Sequence, residues 1–335
     1  MIRRLAGWWV AVWDRSEPPT VLATIRIGIA VVLLTDFATT WRLGLVTSLL
    51  TSARAGGLAA NPDAHPPLWF RWVGDGPDAA NLLFGLLVAA TVALGLGLFT
   101  RTSAVAVMLL TAQWSQILPE SDRAIDLLLR DVLAILAFSS AGATASIDAR
   151  WTTGRWTGDG APAPAWPRYL IVLQIVVMYF TAGVQKYAQH WWPWGGFTAL
   201  YVILNDWSYA RTPGGWLRNQ PFYLGTQLST AVTMLWQWTY PVVLTHYFPW
   251  GGDERASDPG RFRRWFARYR LHWVWIAIGM WFHVAIASTM ELGIFPWGMM
   301  AVYPAFLHPD ELRAVATRVG SFVRNRARSR RTSAG

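Results

Sequence analysis

The chain contains no cysteine and a single lysine among its 335 residues. Without cysteine, disulfides, thiolate metal sites and cysteine nucleophiles are all excluded. Charge is scarce as well: Asp, Glu, Lys and Arg make up 14% of the residues, against about 25% in ordinary soluble domains. In their place stand apolar residues at 53% and 23 tryptophans. Long apolar runs, separated by aromatic and Gly/Pro-rich connectors, exclude disorder and point to a polytopic, all-α membrane bundle. GxSxG, P-loop and HExxH motifs are missing too, and no two histidines stand at i, i+4 spacing, so no metal is expected.

A bilayer core about 30 Å thick needs roughly 20 apolar residues per helix. Eight spans are expected, at 21–40, 79–99, 103–118, 125–143, 169–186, 222–248, 272–290 and 292–307, the third and eighth being short. The stretch 197–204 is too short to cross and is expected at the interface or as a re-entrant segment. Arginine placement sets the orientation. With a cytoplasmic N-terminus, segments on the inside carry twenty arginines and those outside carry six, so both termini are predicted cytoplasmic. The formal charge of +10 then reflects topology and anionic headgroups rather than nucleic acid. Residues 1–19 read as a cytoplasmic segment without a secretory signal, 20–312 as the transmembrane domain and 313–335 as a basic, disordered cytoplasmic tail. Pro-Trp-Gly recurs at 193–195, 249–251 and 296–298, which reads as interfacial turns.

Ionisable residues inside apolar spans are costly and are functional candidates by default. Arg26 and Asp36 fall in the first span, too far apart to pair, so each needs a partner on another helix. Arg130 and Asp131 open the fourth. Ion pairing accounts for all four without any chemical role. Lys186 is different, because a chain that uses Arg everywhere else keeps Lys at the end of an apolar helix. Arginine cannot deprotonate, whereas a desolvated lysine can act as a base; snorkelling at a helix end is the plain alternative. Tyr179, Gly183 and Lys186 share a face at i, i+4 and i+7 spacing, and Gly183 lets another backbone approach closely. His283 lies well within a span, where interhelical hydrogen bonding is the commoner role. Tyr179 and the Trp-rich connectors could line a lipid or quinone pocket or simply pack.

Together these segments resemble a known family. Residues 21–37 (VLATIRIGIAVVLLTDF), 94–103 (LGLGLFTRTS) and 146–150 (SIDAR) are similar to the start of the HTTM domain, the membrane domain of the vitamin K-dependent gamma-carboxylases. The strongest block is 179–186, YFTAGVQK, followed by Trp191 and Gly195; it resembles the family's YFxAGxxK…W…G signature. A second block runs from His283 through Gly293, Phe295, Met299 and Phe306 to Pro309. The resemblance covers roughly residues 20–312. It implies that Lys186 is the base that deprotonates a reduced quinone (vitamin K or menaquinone hydroquinone) before a peptidyl Glu is carboxylated. It also implies that His283 lies near the active site, that Trp191 and Gly183 help form it, and that the protein resides in a bacterial inner membrane.

Two departures bear on that activity. Where the carboxylase carries an Asn–His element, this chain reads Arg123-Ala124-Ile125-Asp126, with Asp126 or Asp122 as the substitute proton partner. The last expected span is followed only by the basic tail, where the carboxylase has a large extracytoplasmic, propeptide-gripping region. Short bacterial relatives resemble the sporulation-delaying protein B group, which matures a secreted peptide toxin. The enzyme reading, a quinol-dependent modifier of a small secreted peptide, therefore stands beside a non-enzymatic maturation, export or immunity role. Transport along Arg26, Asp36 and Arg130 is a third reading, unsupported by paired broken helices.

Overall fold

The computed structural model describes residues 10, 13–59, 66–212, 215–247, 261–314 and 317–318. The expected tail at 313–335 and the Pro-Trp-Gly at 249–251 lie largely or wholly outside them. Among the described residues the structure is predominantly helical, in agreement with an all-α class. The main helices are α1 (Thr20–Arg42), α2 (Pro77–Leu96), α3 (Thr100–Ile117), α4 (Ala124–Ala137), α5 (Trp166–Val184), α6 (Phe222–Thr239), α7 (His272–Thr289) and α8 (Phe295–Val302). Of these, α1, α2 and α5 are long and apolar enough to cross a membrane.

The boundaries differ from the sequence expectation where polar or proline residues interrupt an apolar run. The stretch 125–143 was expected as one span, yet α4 stops at Ala137 after 14 residues, about 21 Å of rise. Beyond it Ser139 bonds the Leu136 carbonyl and the Ala141 amide, side-chain bonds that compete with a continuing helix. The stretch 222–248 breaks after Thr239 into a 3₁₀ turn, Tyr240–Val243, and a short helix, Leu244–Tyr247. Pro241 supplies no amide hydrogen there. In the last stretch α8 spans eight residues before the 3₁₀ turn Tyr303–Phe306, which contains Pro304. α5 ends at Val184, so Lys186 stands beyond the helix rather than on its last turn. Ala199–Leu204 is a six-residue helix within the stretch expected to be too short to cross.

The core runs along the contacts of α1 with α2 and α8, α2 with α3, α3 with α4, α5 with α6, and α7 with α8. Val21, Ile25, Ile29 and Leu33 repeat at helical spacing on α1 and are buried. A Cβ on Gly28 would lie 3.1 Å from the Ala301 Cβ, so glycine lets α1 and α8 approach closely.

Two tie-downs, the first of them buried, fix one end of the bundle. The strand β1 (Ser16–Glu17) pairs antiparallel with β2 (Ala163–Pro164). This sets Glu17 against Arg168, which grips it through Nε and Nη2 at 2.6 and 2.7 Å and donates to the Ala305 carbonyl at 3.1 Å. Nearby in sequence terms, two distant blocks meet. The Asp148 carboxylate accepts from the amides of Phe99 and Thr100 and the Thr100 hydroxyl, capping α3. The Asp148 amide in turn donates to the Gly97 carbonyl at 3.0 Å.

The charges within the apolar stretches find mixed partners. Asp36 pairs with Arg123 at 2.8 Å, and Arg123 also holds Asp126 at 2.8 Å. Arg130 grips Asp122 through both guanidinium Nη atoms, which holds the Asp122 carboxyl below the usual carboxylate range. Asp131 accepts from Gln174 at 3.3 Å. Arg26 is fully buried but makes no ion pair among the described residues; its Nη2 donates to the Ala145 carbonyl, and its Nε and Nη1 lack a protein partner.

Candidate functional site

α5 carries Tyr179 into the centre of the bundle, where the ring is 2% exposed. A buried phenol usually finds a hydrogen-bond partner for its hydroxyl. Here it finds two: the hydroxyl bonds His283 Nε2 of α7 and the Tyr303 hydroxyl, the latter at 3.0 Å. Tyr240 stacks on the Tyr179 ring at 4.6 Å and 25°, and Trp236 lies against it at 4.6 Å. His283 is fully buried, flanked by Phe295 at 5.5 Å and Tyr303 at 5.8 Å, and its Nδ1 makes no hydrogen bond. A polar cluster of one imidazole and two phenols therefore joins α5, α7 and the turn after α8.

Space for that cluster comes from Gly279, one turn before His283. A Cβ there would overlap the Tyr303 hydroxyl and stand 2.9 Å from Trp236 Cζ2. Gly183 serves as expected, since a Cβ would meet Gln237 Cβ of α6 at 3.0 Å. The Gln237 side-chain oxygen beside it is buried without a partner.

Lys186 follows the end of α5, two residues beyond its last helical residue, Val184. Its side chain turns back, donating from Nζ to the Ala182 carbonyl at 2.9 Å. The ammonium lies 4.7 Å above the Trp191 ring. The Lys186 carbonyl accepts from Trp192 Nε1 at 2.9 Å, and Trp192 stacks on Trp194 at 5.2 Å and 4°. No carboxylate among the described residues forms an ion pair with Lys186. Burial alone pulls its pKa down to about 8.

The structure thus brings Tyr179 to His283 and Lys186 to Trp191, but it does not put Lys186 in contact with His283. Asp126 shares no hydrogen bond with either. It is committed to Arg123 through the Arg123 amide, Nε and Nη2. That network still abuts the His283 environment: a Cβ on Gly293 would lie 2.8 Å from Arg123 Nη1, and Phe295 two residues on packs against the imidazole. Arg26, Arg130 and Asp131 lie in the other contacts described above. A cleft of about 570 Å³ opens at the Thr100–Asp148 junction, and its lining includes neither Lys186, Tyr179 nor His283.

The sequence reading missed Tyr303, Tyr240 and Trp236. A tyrosine inside an apolar stretch was the available signal for the first two, since a buried phenol usually bonds a polar neighbour; Tyr303 does so with Tyr179, whereas Tyr240 contributes its ring face. Of the Pro-Trp-Gly repeats, 193–195 forms a 3₁₀ turn, whereas 296–298 lies in the first turn of α8 and is helical.

A family model described as the HTTM domain matches residues 15–246. The matched region includes Tyr179, Gly183, Lys186 and Trp191; His283 and Tyr303 lie beyond it. No curated protein and no solved structure matches the chain.

Proposed function

From the premise that the chain belongs to the HTTM domain family, we propose that it is a multi-pass protein of a bacterial inner membrane that uses a quinol to modify a small secreted peptide. Eight crossings with both termini cytoplasmic agree with the arginine distribution. The helices α1, α2 and α5 supply the three longest apolar segments.

One observation carries the enzymatic reading. Lys186 is half-buried with no carboxylate partner, at the position its YFTAGVQK block gives to the family's base. A flat aromatic diol fits these surroundings, since the Trp191 face and the parallel Trp192–Trp194 pair offer stacking surfaces beside an amine. Such a quinol supplies an acidic O–H and two electrons. The neutral Lys186 Nζ accepts the proton, and the tryptophans orient the ring. His283 acts as a positioning residue: bonded to Tyr179, it fixes the rotation of α5 and with it the direction from which Lys186 approaches. Carboxylation of a peptidyl Glu is the specific outcome that the family resemblance favours.

A second reading draws on the same side chain. The Lys186 ammonium already has a carbonyl and an indole face, contacts that use its charge and not its basicity. On this view the protein is a non-enzymatic maturation, export or immunity factor for a secreted peptide toxin, and Lys186 anchors an anionic group.

The test is oxygen-dependent oxidation of reduced vitamin K and reduced menaquinone by purified protein with a Glu-containing peptide, for the wild type, Lys186→Ala and Lys186→Arg. The enzymatic reading expects turnover that both substitutions abolish, because arginine cannot give up its proton. Full activity in Lys186→Arg would sink the base assignment. Absence of turnover, with Lys186→Arg retaining peptide-dependent function in cells and Lys186→Ala losing it, would establish the charge-anchor reading.

A further inference from the structure

The segment 261–270 (RFRRWFARYR) holds five arginines, four aromatics and no acidic residue. Residues Arg261–Arg268 form a helix, and Phe262, Trp265, Phe266 and Tyr269 recur at i, i+3, i+4 and i+7, which places them on one stripe. The protein covers only part of that stripe. Phe266 is 1% exposed and packs on Trp275 of α7 at 5.8 Å. Phe262, Trp265 and Tyr269 are 53%, 51% and 60% exposed. Arg261, Arg268 and Arg270 are exposed beside them.

A tight corner sets the direction of this helix. The Leu271 amide returns to the Phe266 carbonyl at 3.0 Å, and Arg270 adopts a positive φ of 49° before α7 starts at His272. The stripe is therefore held at the end of α7, next to the level where a spanning helix leaves the hydrocarbon.

We propose that the helix Arg261–Arg268 is a docking surface for anionic phospholipid, lying in the plane of the leaflet at the mouth of α7. This rests on the membrane placement of α7 proposed above. Charge complementarity names the occupant. Half-exposed Phe, Trp and Tyr rings seat at the boundary of headgroup and acyl chain. The exposed guanidinium groups of Arg261, Arg268 and Arg270 beside them pair with lipid phosphates. A nucleic acid would meet the same arginines, but nothing in it would cover an aromatic stripe continuous with a spanning helix.

The cysteine-free chain makes the test clean, because one introduced cysteine carries the only label. Full-length protein with Phe262→Cys bearing a nitroxide is placed in nanodiscs of phosphatidylcholine alone, or of phosphatidylcholine with phosphatidylglycerol. Collision with oxygen is compared with collision with a water-soluble nickel chelate. The expected result is a severalfold higher oxygen-to-nickel ratio with phosphatidylglycerol, reversed by a combined Arg261→Gln, Arg268→Gln and Arg270→Gln variant. A ratio that is low in both lipids, or high in both and indifferent to the arginines, overturns the proposal. So does equal immobilisation in detergent and in both lipids, which would show that protein covers the stripe. A second label at Trp281→Cys, a position 74% exposed on α7, separates the two levels of inference. If it is buried in lipid while the Phe262 label stays in water, only the docking surface fails; if it is in water, the membrane placement of α7 fails first.

Discussion

Lys186 is held by a carbonyl and an indole face but by no counter-ion, and that combination decides how it should titrate. Burial disfavours the charged form of an amine, so the pKa falls, to about 8. On the proposed enzymatic reading the base is the neutral amine, whose fraction rises with pH. Quinol oxidation by the wild type is therefore expected to climb about tenfold per pH unit below 8 and to level off above it, read from the pH profile of kcat/KM. A flat profile between pH 6 and 9 would remove Lys186 from proton transfer. Residue by residue, the site was legible wherever a side chain was out of place in its surroundings. The lone lysine stood out against 28 arginines, and His283 and Tyr179 stood out as polar groups in apolar runs. Their bond to each other was not legible. It joins positions 104 apart in sequence and exists because two long side chains, one from α5 and one from α7, reach each other in the core, a relation that no local pattern encodes.

Small residues set how the helices meet, Gly183 of α5 against Gln237 of α6 and Gly279 of α7 against Tyr303 and Trp236, and the consequence is measurable. Alanine at Gly279 would drive its Cβ into the Tyr303 hydroxyl and towards Trp236. Overpacking of this kind typically costs about 1–3 kcal/mol. Gly279→Ala is expected to lower the thermal unfolding midpoint in detergent, and adding Tyr303→Phe should restore part of the loss by removing the nearest atom. No recovery would mean that the helix backbone, rather than the tyrosine, refuses the methyl group. At this scale the sequence announced the helices better than their ends. Apolar tallies ran across Ser139, Ser140 and Gly142 after α4 and across Pro241 after α6, although each residue type carries a known reason to stop. Spacing also placed Tyr179, Gly183 and Lys186 on one face, yet it extended α5 by two residues that are not helical.

Across the whole molecule, Glu17 and Arg168 bind regions that sequence reading had assigned to separate cytoplasmic segments. Both side chains are buried, at 8% and 4% exposure. Replacing Glu17 by Gln leaves a buried guanidinium with no anion: one amide oxygen stands in for two carboxylate oxygens, beside the Ala305 carbonyl and the Tyr169 and Tyr247 ring faces. Removing one member of a buried pair costs about 3–5 kcal/mol, whereas replacing both by apolar residues is often neutral. Glu17→Gln should therefore unfold well below the wild type, and Glu17→Leu with Arg168→Met should unfold above Glu17→Gln alone. The reverse ranking would show that the charge of Arg168 is satisfied elsewhere. The all-α class was legible because composition and apolar run length set it. The closure of the bundle was not, since it depends on a two-residue strand pairing of Ser16–Glu17 with Ala163–Pro164. That closure also has a bearing on biosynthesis. Glu17 leaves the ribosome before Arg168, and Arg168 before Ala305. The carboxylate that seals the bundle has to wait, hydrated, while α1 to α4 are made. The lock forms late, so until then the early helices are free to rearrange.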